Sequence, residues 1–434
     1  MTVTGQLSGL IEKAVGPFFA DPQFGVAFIA PNLDSIIEDF CRSQKEADID
    51  ERYPIFFGCK DNIDVSGWPT RIGLKKNGRS ARGDAEVVKR LRRQGYVCLG
   101  KTTMPEFALS GLGISYSLDI PQSAIANKLP CCPGGSSSGS AVAVANGYVR
   151  MALGTDTGGS VRIPAAWNAV IGYASSYGRV SPDGISPLSK SLDSVGALTS
   201  SVEEVVRVAA ILASSESRWL EMRPDVIIPE TMIDGCSPEI QATFEEVVHE
   251  MSTYFQTRRE KTHPCIEYAR SFFRDCGNIT IHELIQNYPE NLLKEVSERS
   301  PYLESILASS SAQSFKSDRG LIELRQIRDT VRRRPPNEIL LFPTVPSVPV
   351  PLSIMHDMTA AKEMDSQVIS RLRFSNLCGM PSLSLPTPSR NLATSSICLC
   401  GMPTQDAFLL QTAVSLQRHG LLHEDNRPKA RTDW

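Results

Sequence analysis

Histidine is scarce in this chain and missing from its N-terminal half: the six lie at His249, His263, His282, His356, His419 and His423. A histidine base for an N-terminal nucleophile would have to arrive through long-range folding, and nothing local supports one. No Cys-x-x-Cys pair occurs, and Cys398-Leu399-Cys400 has no second pair to complete a zinc site. The cysteines number 11, odd and spread over a long chain, unlike a secreted disulfide framework. No run of about 18 apolar residues is present, so no membrane-spanning helix is expected. The stretch Met1 to Phe19 lacks the basic and apolar segments of a signal peptide, and a reducing, cytoplasmic setting is the expectation. Positive charge is not in excess either. Lys+Arg 45 against Asp+Glu 48 gives −3, which argues against nucleic acid as a partner.

What is present suits a globular protein. The 434 residues are 41% hydrophobic and 21% charged, enough to bury a large core without staples. Ser35 to Phe40 reads as an amphipathic helical piece, and Ile55 to Cys59 as a short buried strand. Gly83 to Gln94 carries a helical stripe of Ala85, Val87, Val88 and Leu91, with Gly95 as its stop before the strand Tyr96 to Leu99. A helix feeding a strand in this way marks an α/β protein. Ala141 to Asn146 reads as a buried helix and Met151 to Gly154 as a strand. Residues 201–335 look more helical and more charged. Ser201-Val202-Glu203-Glu204 is a capping box opening a helix to Leu212, and further helices are expected near 238–256, 264–275, 280–297 and 317–333. Ser309 to Ser314 reads as a polar loop, and Leu340 to Pro351 as a strand entering an extended proline-rich segment. No internal repeat is present. The expected organisation is one domain over 1–434, with a core at about 52–200, a variable helical part at 201–335, a return to the core at 336–422 and a polar tail at 423–434.

Gly95-Tyr-Val-Cys-Leu-Gly100-Lys101-Thr102 matches the P-loop pattern letter for letter. A P-loop needs a strand before its first glycine and a loop between the two. Here a helix comes first and a strand lies between, so Gly95 ends a helix, Gly100 ends a strand, and Lys101 is solvated or structural. The Arg332-Arg333-Arg334 run reads as the solvated end of a helix, and the cysteines as core residues.

Two Gly/Ser loops carry the chemistry: Gly134 to Ser140, and Gly154-Thr155-Asp156-Thr157-Gly158-Gly159-Ser160-Val161-Arg162. A linker would not run directly into an Ala/Val helix, nor hold Asp, Thr and Arg between apolar segments. Gly158-Gly159-Ser160 can aim unobstructed backbone N–H groups at one point, as an oxyanion hole does, with a serine beside them to attack. That serine needs a base. A lysine can serve if burial keeps it neutral, and Lys60, following the strand Ile55 to Cys59, is the candidate.

At this point the sequence resembles the amidase signature hydrolases. Gly58-Cys59-Lys60-Asp61-Asn62-Ile63-Asp64-Val65 matches the family's lysine motif, and Leu99 to Ala108 is family-like, which accounts for the false P-loop. Pro133 to Ala141, Gly154 to Pro164 and Ser191 to Gly196 match the serine-rich signature. The resemblance implies an α/β fold, with a central mixed β-sheet covered on both faces by helices. It implies a Ser–cis-Ser–Lys triad in which Ser160 is the nucleophile, Ser136 the bridging serine with a cis peptide, and Lys60 the base. The oxyanion hole would use Thr157, Gly158, Gly159 and Ser160, with Asp156 and Arg162 bracing the loop. Ser110, Gly111 and Leu112, by family position, are expected at the substrate, and Cys132, just before the signature, either lines the pocket or packs in the core. Ser138 stands where the family pattern commonly has glycine, and Gly172-Tyr173-Ala174-Ser175 where it often reads Gly-Leu-Lys-Pro.

The expected activity is hydrolysis of a small amide, with a lean toward the plant-type amidases of indole-3-acetamide. The same acyl-enzyme would serve an esterase or an amide-forming acyl transferase. A component of an amidotransferase that handles glutaminyl-tRNA would need partner chains, and a silent scaffold would have lost triad residues. No metal or organic cofactor is implied. The expected partner is a small amide or ester, with no nucleic acid and no membrane, and the expected state is a monomer or homodimer.

Overall fold

A computed structural model describes residue 9 and residues 11–46, 55–76, 78–125, 129–213, 222–311, 315–388 and 395–422. The expected polar tail lies outside the described residues. In chain order the strands are β1 (Ile55–Lys60), β2 (Pro69–Thr70), β3 (Arg79–Ser80), β4 (Tyr96–Thr102), β5 (Met151–Asp156), β6 (Ile171–Ala174), β7 (Ser194–Thr199), β8 (Asp225–Pro229), β9 (Gln256–Glu260), β10 (Glu338–Pro343), β11 (Ser382–Thr387) and β12 (Ser395–Gly401). Strands β2 and β3 form a small ribbon of their own. The other ten make one sheet in the order β4-β1-β5-β7-β6-β11-β12-β10-β8-β9.

The sheet is mixed. Pairs β4–β1–β5 at one end and β10–β8–β9 at the other are parallel, and the pairs between are antiparallel. Strands β4, β5, β7, β10, β11 and β12 are buried at every position, as a sheet covered on both faces requires. Alternate residues feed opposite layers: Leu340, Phe342, Cys398 and Cys400 join one cluster, while Ile339, Leu341, Ile397 and Leu399 join another. The helix-covered mixed sheet expected from the sequence is therefore the architecture found.

Several local expectations are met for visible reasons. Gly95 has φ +76 and caps the helix Glu86–Arg93. The Ser201 hydroxyl accepts from the Glu204 N–H at 3.2 Å and opens the helix Val202–Leu212. Others are corrected. Strand β4 continues through Gly100 to Thr102, so Gly100 does not end it and Lys101 is wholly buried. The single helix expected at 280–297 is two, Ile279–Asn287 and Glu290–Ser297, because Tyr288 before Pro289 is extended. The helix expected to reach 256 is Pro238–Met251, and residues 256–260 instead form the polar edge strand β9. Strand β8 was likewise hidden within a region that reads as helical. The helix Pro301–Ser311 takes up the first half of the expected polar loop, and residues 312–314 lie outside the described residues.

Candidate active site

Strands β4, β1 and β5 run parallel, so their C-terminal ends share one edge of the sheet. Parallel sheets place ligands at that edge. Lys60 ends β1 and Asp156 ends β5. Lys60 is wholly buried. Its Nζ lies 2.8 Å from Ser136 Oγ, 2.9 Å from Thr155 Oγ1 and 3.2 Å from the Thr155 carbonyl. Burial disfavours the ammonium and outweighs the attraction of Asp156 and Asp193, so its pKa falls from 10.5 to about 7. Thr155 Oγ1 is held in turn by Asn62 Nδ2 at 3.2 Å.

Ser136 follows a cis peptide bond from Gly135, as the resemblance implied. Gly135 packs directly on the 110–113 loop: its N–H donates to the Gly111 carbonyl at 2.7 Å, and a Cβ there would sit 2.3 Å from the Ser110 carbonyl oxygen. Only glycine fits that approach. The two Gly/Ser loops join one residue later, where the Ser137 N–H donates to the Ser160 carbonyl at 3.0 Å. Lys60, Ser136 and Ser160 are thereby gathered from three segments of the chain. Ser136 is fully buried, whereas Ser160 is 9% exposed and lines a cavity.

The loop carrying Ser160 is built on Asp156. Its carboxylate accepts from the N–H of Gly159 at 2.8 Å and of Val161 at 2.9 Å, and from Arg162 at 2.8 and 3.1 Å. Burial alone would raise the Asp156 pKa, but the Arg162 guanidinium and these donors hold it down at about 2. Asp156 and Arg162 thus tie the ends of the loop to one another. Because the Gly159 N–H is engaged by Asp156, an oxyanion hole has the N–H groups of Thr157, Gly158 and Ser160 to draw on. Gly159 has φ +120, and a Cβ on it would meet Leu372 Cδ1 at 2.7 Å.

Three further side chains support this loop. Asn376 donates to the Asp156 carbonyl at 2.8 Å and to its carboxylate at 3.0 Å, and Ser375 accepts from Arg162 at 2.7 Å. Asp193 accepts from the Thr157 hydroxyl and from the N–H groups of Leu188 and Ser189. Burial raises the Asp193 carboxyl to about 6. Asp193 lies in the quoted Ser191–Gly196 motif and Thr155 in the second loop, so motif membership was the available signal.

The cavity in front of Ser160 measures about 330 Å³. Ser110 and Gly111 line it together with Thr157 and Gly158. Ser110 Oγ itself is turned into its own loop, accepting from the N–H of Leu112 and Ile114. The expectation for Leu112 is corrected, and Cys132 takes the packed alternative: both are wholly buried in the second hydrophobic cluster, off the cavity wall. The far wall comes from the helices Pro264–Cys276, Pro301–Ser311 and Met358–Cys378, through residues such as Phe273, Ile306 and Ile369. Among the described residues, no group of three or more His, Cys, Asp or Glu could hold a metal. No helix among them is long and apolar enough to cross a membrane.

The amidase family profile matches residues 33–410. The chain is 28% identical to a glutamyl-tRNA(Gln) amidotransferase subunit of Symbiobacterium thermophilum, over 97% of this chain and 96% of that one. It is 30% identical to the 2-amino-5-chloromuconic acid deaminase of Comamonas testosteroni, over 85% and 83%. A crystal structure of an amidase superposes with a TM-score of 0.80 at 26% identity, covering 96% of each chain. These relatives do not single out the plant-type amidases of indole-3-acetamide.

Proposed function

The chain belongs to the amidase signature family, whose members act on amide C–N bonds through a Ser–cis-Ser–Lys triad, and on that premise we propose that it hydrolyses a small amide with Ser160 as nucleophile, Ser136 as proton bridge and Lys60 as base. The observation that carries the assignment is the wholly buried Lys60, its Nζ 2.8 Å from Ser136 Oγ and its pKa near 7. A neutral lysine has two N–H donors and one lone pair. The donors are matched by the Thr155 carbonyl and hydroxyl, which leaves the lone pair facing the Ser136 hydroxyl.

The reaction then runs in two halves. Lys60 takes the Ser136 proton as Ser136 takes that of Ser160, and Ser160 Oγ bonds to the amide carbon. The oxyanion rests on loop N–H groups. The proton returns through Ser136 to the nitrogen as the C–N bond breaks, and ammonia or an amine leaves. Water repeats the attack on the acyl-enzyme, releasing the acid and restoring Ser160. The cavity volume is at the low end for ligand pockets, which supports a small substrate. The relatives lend no support to indole-3-acetamide in particular, so the reading stays with small amides as a class.

The test is product release from matched aryl-acetamides, alkyl amides and their esters, with wild type and Ser160→Ala side by side. Ammonia from an amide in wild type, and none from a folded Ser160→Ala, supports the reading. Equal turnover in the two proteins removes Ser160 from it. Esters cleaved with every amide intact moves the activity to acyl transfer from esters.

A further inference from the structure

Among the described residues, the cavity wall carries a guanidinium that no carboxylate matches. Arg373 lies on the helix Met358–Cys378, half-buried, and lines the cavity wall. Its root sits beside the oxyanion loop: a Cβ on Gly158 would lie 3.5 Å from Arg373 Cβ. From there the side chain crosses the wall, and its guanidinium carbon stands 3.8 Å over the centre of the Phe273 ring. The buried arginines, by contrast, are built into partners. Arg162 pairs with Asp156, Arg92 with Asp39 and Asp84, and Arg328 donates to the carbonyls of Ser191, Asn376 and Leu377. Among the described residues no carboxylate pairs with Arg373, and burial acts on it uncompensated, lowering its pKa to about 10.

Among the described residues, the one acidic side chain on this wall, Asp365, is already occupied. It accepts from the N–H of Gly111 at 2.7 Å and of Leu112 at 3.0 Å, and from Ser110 Oγ at 3.3 Å. Lys362, also on the wall, donates to Ser305 Oγ at 2.6 Å and adds a second positive charge. Even a partly desolvated cation is costly without a counter-ion. A guanidinium with one face on an aromatic ring and its edge toward a cavity offers the fork geometry that matches a carboxylate.

We propose, resting on the amidase reading of this site, that the cavity selects small amides carrying a second group, an anionic carboxylate, which Arg373 receives while the amide carbon lies at Ser160. The separation to be spanned is that between the Gly158 loop and the ring of Phe273, about the length of one extended arginine side chain. Half-amides of short dicarboxylic acids have this form. Phe273 orients the guanidinium, and the flanking Ile281, Ile306 and Ile369 take the methylenes between the two ends.

The test uses the full chain with Ser160→Ala, so that binding is read apart from turnover. The monoamides of succinic, glutaric and adipic acid are titrated by calorimetry against butanamide, pentanamide and hexanamide. One member of the acidic series should bind about thirty-fold tighter than its neutral partner, the scale of a charge-assisted hydrogen-bonded pair. Arg373→Gln in the same background should bring that ratio near one, and Arg373→Lys should keep part of it, with melting curves confirming that both fold. No preference for any acidic member, or a preference that survives Arg373→Gln, overturns the proposal. Ammonia release by wild type is scored separately. Selective binding without release overturns the hydrolytic reading and leaves the carboxylate receptor standing. Release without selective binding does the reverse.

Discussion

Lys60 and Lys101 are both wholly buried, on paired parallel strands, one register position apart. Cys59 lies opposite Lys101 and Thr102 opposite Lys60, so the two side chains leave opposite faces of the sheet. What each then meets separates them. Lys101 donates to the Asp61 carbonyl at 3.4 Å and to the Ile63 carbonyl, and lies 4.0 Å from the Asp61 carboxylate. Lys60 meets two hydroxyls and one carbonyl, and among the described residues no carboxylate pairs with it. One lysine ties loops to the sheet. The other is kept close to neutral and in contact with a serine. Burial is common to both, and the partner set decides between a structural and a reactive lysine.

The comparison can be broken most sharply at Lys60. Lys60→Met should lower kcat/KM by roughly 10²–10⁴-fold, the span for a lost general base. Its unfolding midpoint should stay level or rise, since a desolvated amine is removed. An active Lys60→Met would end the distinction. The partner experiment is Lys101→Met, which leaves Asp61 buried without its cation. It should cost about 3 kcal/mol in urea unfolding, while activity per folded molecule stays close to wild type.

A finer test is pH. The base must be neutral, so kcat/KM should fall on the acid side with a midpoint near 7, and Lys60→Met should lack that limb. Stability carries the same signature with a defined sign. The folded pKa of Lys60 lies near 7, below the ordinary 10.5. Between these values the unfolded chain binds more protons, so stability rises with pH, and the full cost of burying the ammonium is felt below about 7. Denaturant midpoints from pH 6 to 10 should show this slope in wild type and less of it in Lys60→Met. The smallest effect is at Thr155. Thr155→Val removes one acceptor from Lys60 Nζ, which should lower kcat/KM about fivefold and move the acid limb to lower pH, because the ammonium loses more than the amine.

Legibility followed range. The motif around Lys60, the two Gly/Ser loops and the stop at Gly95 are short patterns with local causes, and each stands where its sequence placed it. The edge strand β9 was not legible, since Gln256-Thr-Arg-Arg-Glu260 has no apolar alternation and is a strand only because β8 pairs with it. The helix Met358–Cys378 hides its character because Asp365, Ser375 and Asn376 turn inward to polar partners and leave no clean polar face. Lys101 could be read as solvated or structural, and its neighbours decided.

By itself the sequence determined the family, the kind of fold and the three residues proposed to react, because those are carried by uninterrupted motifs with glycines where side chains do not fit. Only the tertiary structure decided that the Gly159 N–H is engaged by Asp156, that Leu112 and Cys132 stand off the cavity, and that Arg373 faces it. The physical reason is that hydrogen-bond partners, desolvation and cavity shape are made by segments far apart in the chain, and they exist only once the sheet has brought those segments together.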